Sequence, residues 1–381
     1  MKLDRLITPL AFGAVTAAII IMPAERSRDF DSVLSFLVTF GTSVAIFSLL
    51  VLGLNVHWGY TGIFNFGVMA FFLVGAFTAA IITKGPADSE FIQYVGGFGD
   101  DLNLIPFLAS DQWLPFLVGI VGAAVFCGVL AFLVSIPALR LREDYLAIVT
   151  IGIAELLRRI TIEESGLVNG TRGLPGIPRP LGDLVAPGDY KFVIFGIAVA
   201  ILIVVFIAVE RGIRSPWGRV LRAVREDELT TAASGKNVFA FKAQGFVLGA
   251  VVMGIGGAVF SYQRGAISPE NFNHFFGTFI FWAMLIVGGS GNNKGAILGT
   301  YIVWGFWRIT ILLQAYDLPV FLETRIFFIR DFAIGALIVG FLLLRPKGLL
   351  PEVPRVSIWV DRLRRSTTAE AESADPHEPA G

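Results

Sequence analysis

Long apolar runs recur along the whole chain, separated by short polar connections, and they leave few folds open to it. A helix that crosses a hydrocarbon core of about 30 Å needs about 20 predominantly apolar residues. Segments of this kind occupy 6–22, 33–56, 63–82, 113–139, 145–160, 192–209, 243–262, 275–289, 295–315 and 326–344. Hydrophobic residues make up 55% of the 381 and charged residues 16%, and the mean hydropathy is +0.73, outside the range of a water-soluble domain. The expectation is an all-α integral membrane protein of about ten transmembrane helices, some of them short or broken.

The first run follows Lys2 and Arg5 and has the outline of a secretory signal. Met22-Pro-Ala24 is a poor cleavage site and more spans follow, so it reads as an uncleaved first span. Cys127 is the single cysteine and lies in an apolar run, which fits a small packing residue. The formal charge is zero, so nothing in the balance points to nucleic acid, and the basic residues matter by position.

Basic loops stay on the cytoplasmic side. The 210–242 connection carries seven basic residues against four acidic ones, whereas 83–112 carries one basic against five acidic. With the N-terminus inside, ten spans put the first connection in the cytoplasm, the second outside, and both termini in the cytoplasm. Residues 1–350 then form a polytopic transmembrane domain. Residues 351–381 form a cytoplasmic tail whose Ala, Glu, Asp and Pro content predicts disorder from 366 onward.

The 210–242 connection isolates a compact basic helix between two apolar runs. Ser215-Pro216 is a helix start and Gly235 a matching stop, about five turns later. Gly218 opens the segment. Arg219, Arg222 and Arg225 recur every three residues, while Leu221 and Val224 keep the same interval on an adjacent face. One side can grip a soluble partner and the other can pack. A juxtamembrane helix held by anionic lipid explains the arginines equally well, but lipid would repel Glu226, Asp227 and Glu228.

These residues carry a resemblance. Gly218-Arg-Val-Leu-Arg-Ala-Val-Arg-Glu-Asp-Glu228, followed by Ala233-Ser-Gly-Lys-Asn-Val238, resembles the cytoplasmic coupling loop of the LivM-like permeases of branched-chain amino acid ABC importers. Other pieces follow in the family's order: Gly62-Ile-Phe-Asn-Phe-Gly67, Leu141-Arg-Glu-Asp-Tyr-Leu-Ala-Ile-Val-Thr150, Asn169-Gly-Thr-Arg-Gly-Leu-Pro-Gly-Ile177, Ile267-Ser-Pro-Glu270, the glycines from Gly288 to Gly291, and Arg345-Pro-Lys-Gly348. The resemblance implies a permease subunit working with a second, LivH-like permease, two cytoplasmic ATPases that bind ATP and Mg²⁺, and an external solute-binding protein. It implies no cofactor on this chain. Val168-Asn-Gly-Thr-Arg-Gly173 departs from the family's Gly-Gly-Pro-Asn-Gly type of run, and the 83–112 loop is longer than the family's. Both departures are expected on the outer side, which leaves urea or another small amide or organic solute as the alternative cargo.

Transporter sites form where helices break and leave main-chain groups near the midplane. The breaks here are residues 62–67, with Asn65 and Gly67, and the short span through Thr150 and Glu155 that leads to Asn169 and Gly170. Asn65, Gly67, Thr150, Glu155, Asn169 and Gly170 are therefore the candidate path residues, against the simpler reading that they cap helices. Glu155 has Arg158 and Arg159 at helical spacing for pairing. Arg308 and Arg330-Asp331 are further charges within apolar runs, at interfacial or subunit-facing places.

Other function classes fit less well. Gly289-Ser-Gly-Asn-Asn-Lys-Gly295 imitates a phosphate loop but has glycine where the Mg²⁺-ligating hydroxyl belongs. His57, His274 and His377 are not at ligand spacing, which argues against a membrane-embedded metalloenzyme, so the chain is not expected to be an enzyme. No acidic pair at helical spacing lies in a clear span, which argues against a self-sufficient ion-coupled carrier.

Overall fold

The structure, a computed structural model, describes residues 2–26, 30–84, 114–164, 168–182, 185–186, 188–313 and 325–352. Most of the acidic 83–112 connection and the tail expected to be disordered lie outside the described residues.

Twelve α-helices are described: α1 (Lys2–Arg26), α2 (Phe30–Leu54), α3 (Val68–Thr83), α4 (Leu114–Ala138), α5 (Glu143–Glu163), α6 (Tyr190–Arg214), α7 (Pro216–Glu226), α8 (Glu228–Ala233), α9 (Val238–Arg264), α10 (Ile280–Gly288), α11 (Asn293–Leu313) and α12 (Ile326–Leu344). A π-helical turn, Asn55–Tyr60, extends α2, and another, Phe275–Phe279, leads into α10. Every predicted span has a helix. Six, counting α2 with its π-turn, are long and apolar enough to cross a membrane, and Thr8–Pro23, Val68–Thr83 and Phe276–Gly288 are shorter apolar helices. The remaining one, α5, has 21 residues but carries Glu155, Arg158 and Arg159.

The predicted single helix from Gly218 to Gly235 is corrected to two. Asp227 is extended (φ −156°, ψ 109°) and caps α8, its carboxylate accepting from the Leu229 and Thr230 amides at 2.9 and 3.1 Å. A side chain that satisfies orphan amides favours a cap over a helix interior, so the acidic cluster is where the helix breaks. Gly235 lies just past α8 at φ +80°, as expected of a stop.

Contacts between sequence-distant groups define two ends of the bundle. At the α7 end, Thr8 Oγ1 donates to the Leu349 carbonyl, and Leu349 and Leu350 donate main-chain bonds to Val287 and Gly288. The Arg345-Pro-Lys-Gly348 ending thus folds onto the glycine run at 288–291. At the opposite end, Leu174 and Ile267 exchange both main-chain bonds, at 2.8 and 3.0 Å, and the Ile177 amide donates to Gly265.

α9 lies at the centre, packed on α2, α3 and α4. Its glycines allow this, because a Cβ on Gly249 would stand 2.6 Å from the Gly53 carbonyl oxygen, and one on Gly257 would stand 2.4 Å from that of Phe72. Small residues at such crossings bring backbones together where no hydrophobic drive separates protein from lipid. The periphery is apolar too: Val121, Val125 and Phe132 on α4, Val204 on α6, and Phe328, Phe332 and Leu343 on α12 are exposed, as faces turned to lipid or another subunit must be.

Candidate functional site

The break predicted at residues 62–67 is present between the π-turn and α3. Main-chain groups released from a helix inside a bilayer must find partners within the protein, and nearly every one here does. The Ile63 amide donates to the His57 carbonyl at 2.8 Å and the Asn65 amide to the Ile63 carbonyl at 3.0 Å. The Phe66 amide donates to Thr150 Oγ1 at 3.0 Å, and the Gly67 amide to Asn65 Oδ1 at 2.8 Å. Trp282 Nε1 donates to the Asn65 carbonyl at 3.1 Å, and Thr278 Oγ1 to that of Phe66 at 3.2 Å.

Asn65 also fixes a histidine. With Oδ1 committed to Gly67, its Nδ2 donates to His57 Nδ1 at 3.0 Å, so Nδ1 is an acceptor and the proton is on Nε2, which donates to the Phe246 carbonyl at 2.7 Å. The ring is a buried neutral imidazole stacked on Phe246 at 4.7 Å. An aromatic cluster closes over the bend: Phe66 stacks on Trp282 at 4.8 Å, and Phe64 meets Trp58 edge-on at 4.4 Å.

The structure therefore brings Asn65, Gly67 and Thr150 together and keeps the other candidates apart from them. Asn169 is left-handed (φ 62°) and donates from Nδ2 to the Gly173 carbonyl at 2.9 Å, and Gly170 beside it is buried. Both belong to the segment paired with Ile267 at the opposite end. Glu155 accepts from Arg158 and Arg159 at 3.0 Å, the pairing its spacing predicted, and also contacts His274 Nε2 at 3.1 Å.

The second region is the protruding segment. Gly218 sits where α7 doubles back on α6, and a Cβ there would stand 2.2 Å from the Ile213 carbonyl oxygen. Leu221 and Val224 are fully buried, as the packing face predicted. The arginine stripe divides. Arg219 is exposed, together with Ala223 and Glu226 on the same face. Arg222 turns inward, bonding the Ile213 carbonyl at 3.3 Å with its guanidinium 5.5 Å from the Tyr60 ring centre. Arg225 also turns inward and donates from Nη1 to the Gly59 carbonyl. Glu228 pairs with Lys242 at the start of α9. The exposed surface left for a partner includes Arg219, Ala223 and Glu226, with Asp227, Glu228 and Leu229, the last 83% exposed.

Sequence reasoning did not find the polar relay beneath this segment. Asn55 Nδ2 donates to Asn293 Oδ1 at 2.9 Å, and Asn293 Nδ2 donates to Glu210 Oε2 at 2.7 Å. The Gly291 amide donates to Asn55 Oδ1 at 2.8 Å. Asn55 at the end of an apolar run was the available signal, but nothing in one sequence pairs it with Asn293, 238 residues away.

A protruding segment is thus tied to a largely satisfied main-chain break in a helical membrane bundle. A family model described as the permease component of the branched-chain amino acid transport system matches residues 36–344. The chain belongs to this family. Branched-chain permeases of the family are also found among curated relatives. A probable branched-chain amino acid transport permease protein LivM of Methanocaldococcus jannaschii is 30% identical over 82% of this chain and 92% of its own length. The high-affinity branched-chain amino acid transport system permease proteins LivM of Salmonella typhimurium and Escherichia coli are each 28% identical, over 82% of this chain and 70% of their own lengths. More distantly, an autoinducer 2 import system permease protein LsrC of Yersinia enterocolitica is 25% identical over 62% of the chain. No solved structure matches. Family membership, with the apolar helices, makes the chain a multi-pass membrane protein and a transport permease component.

Proposed function

We propose that this permease passes branched-chain amino acids through the membrane under the drive of separate cytoplasmic ATPases, with an external binding protein delivering the cargo and a LivH-like chain completing the channel. ATP and Mg²⁺ would be bound on the ATPases, and no cofactor on this chain. The α7 end is cytoplasmic in this reading, as are both termini, because the 210–242 connection has the basic excess. The cargo comes from the names of the relatives, which do not favour urea or an amide.

One observation carries the mechanism. Arg225 holds the Gly59 carbonyl and Arg222 lies beside Tyr60, so the protruding segment grips the π-turn that runs directly into the break holding Asn65. An ATPase engaging Arg219, Glu226 and Leu229 would move α7, and α7 would carry the π-turn with it. The bend at Asn65, Gly67 and Thr150 is the hinge of the path. Glu155, Asn169 and Gly170 lie toward the entrance at the opposite end. A break stabilised by side chains, rather than by a continuous helix, has a second arrangement within reach.

The test is reconstitution. Proteoliposomes with the co-purified assembly should accumulate leucine, isoleucine or valine only with ATP inside and binding protein outside. Uptake by this chain alone, without nucleotide, would exclude the reading.

A further inference from the structure

We propose that a cavity between α2, α6, α9 and α11, at the end opposite α7, is an anion site that takes a ligand with a carboxylate or phosphate head and an apolar body. The cavity measures about 660 Å³ and is separate from both the hinge and the coupling segment. Four cations line it, Arg179, Lys191, Arg264 and Arg308, and no carboxylate does. None of the four has an ion-pair partner among the described residues. The Arg264 guanidinium lies over the Phe260 ring at 5.2 Å and that of Arg308 over Phe36 at 5.3 Å, while Lys191 donates to Ser35 Oγ. Basic side chains at membrane depth normally pair with a carboxylate or mark a binding site.

Three buried polar donors on residues lining this cavity have no hydrogen-bond partner among the described residues: Tyr190 Oη, Trp304 Nε1 and Arg308 Nε. Tyr190 is 7% exposed and Trp304 6%, so neither residue as a whole faces solvent. Buried donors in native proteins are nearly always satisfied, because desolvating one without a partner is costly. An unpartnered hydroxyl, indole N–H and guanidinium N–H on residues that line one cavity, with three further cations around it, match an oxyanion that accepts several charge-assisted bonds. Part of the remaining wall is aromatic, with Phe47, Phe276 and Trp307 beside Trp304, and would take the apolar body, while Thr39, Thr42, Ser43 and Gln263 add neutral polar groups.

Two sources share this chemistry, a free small carboxylate and an anionic lipid headgroup, and the experiment separates them. The full-length permease is placed in phosphatidylcholine nanodiscs and titrated with 4-methylpentanoate by calorimetry. In parallel, nanodiscs containing phosphatidylglycerol are analysed by native mass spectrometry for retained lipid. Saturable binding of one probe is expected, weakened about ten-fold or more by Arg308→Gln and less by Tyr190→Phe, with Arg308→Lys recovering part of the loss. Saturation by 4-methylpentanoate assigns a free carboxylate ligand. Retention of phosphatidylglycerol alone assigns a lipid. If neither probe binds saturably, or if Arg308→Gln and Tyr190→Phe both bind as the unmodified protein does, the site is refuted. Tyr190→Phe removes one oxygen from a packed ring and serves where Arg308→Gln does not fold.

Discussion

Arg225, on the helix that protrudes from the bundle, donates to the main-chain carbonyl of Gly59, six residues before Asn65 in the bend whose Phe66 and Gly67 amides are held by side chains. Arg219, six residues earlier, is exposed on the other face. Arg219 and Arg222, which turns inward as Arg225 does, should therefore fail differently. Arg219→Glu should leave the isolated permease as stable as before and weaken its co-purification with ATPase subunits. Arg222→Ala should lower the melting temperature of the isolated permease as well, by removing a bond to Ile213 and a cation lying beside Tyr60, together worth about 1–3 kcal/mol.

The glycines of α9 give a prediction with an internal control. Gly249→Ala brings a Cβ to 2.3 Å from His57 Nε2 and 2.6 Å from the Gly53 oxygen, and neither the buried ring nor the backbone can yield freely. A loss of about 1–3 kcal/mol is expected in detergent-solubilised unfolding. Gly335→Ala on α12 meets nothing within 4 Å and should instead stabilise by up to about 1 kcal/mol.

Asn65→Leu removes the acceptor of the Gly67 amide and the donor to His57 in one step. Each orphaned buried group costs about 1–3 kcal/mol, so thermal stability should fall more than for an equally buried apolar substitution such as Leu50→Met. Hydrogen exchange at the Gly67 amide should accelerate in the variant and not in the control.

Much of this fold was legible because span length and apolar composition determine what can cross a bilayer, and all ten runs became helices. The bend was legible for a related reason: Gly62 and Gly67 with Asn65 between them interrupt an otherwise continuous apolar stretch. The sequence reads 216–235 as continuous because Asp227 stands among good helix formers. Asp227 is nonetheless an N-cap residue type, and its carboxylate accepts from both the amide and the hydroxyl of Thr230. The inward turn of Arg222 and Arg225 could not be read, since a three-residue spacing puts charges on one stripe without saying what faces it. The same holds for Asn55 with Asn293 and for the four cations of the opposite cavity, which come together only in the fold.

Asp227 makes the segment sensitive to acid. Hydrogen bonds from the Thr230 hydroxyl and amide, and from the Leu229 amide, hold its carboxyl below the usual aspartate value. A depressed folded-state pKa contributes stability above the unfolded value, and that contribution is lost as pH falls through the folded value. Protection of the amides at residues 228–233, taken relative to their intrinsic exchange rates at each pH, should therefore fall on acidification. In Asp227→Asn, which caps but does not titrate, that protection should change less through the same range.

The link from Arg225 to Gly59 is tested most directly by Arg225→Met in proteoliposomes containing the whole assembly, with ATP hydrolysis and leucine uptake measured in the same vesicles. Hydrolysis should persist within about two-fold while uptake falls about ten-fold or more, because the ATPases still cycle but no longer pull the π-turn. Leucine uptake equal to that of the unmodified assembly, at equal hydrolysis, contradicts the link and leaves α7 without a route to the bend.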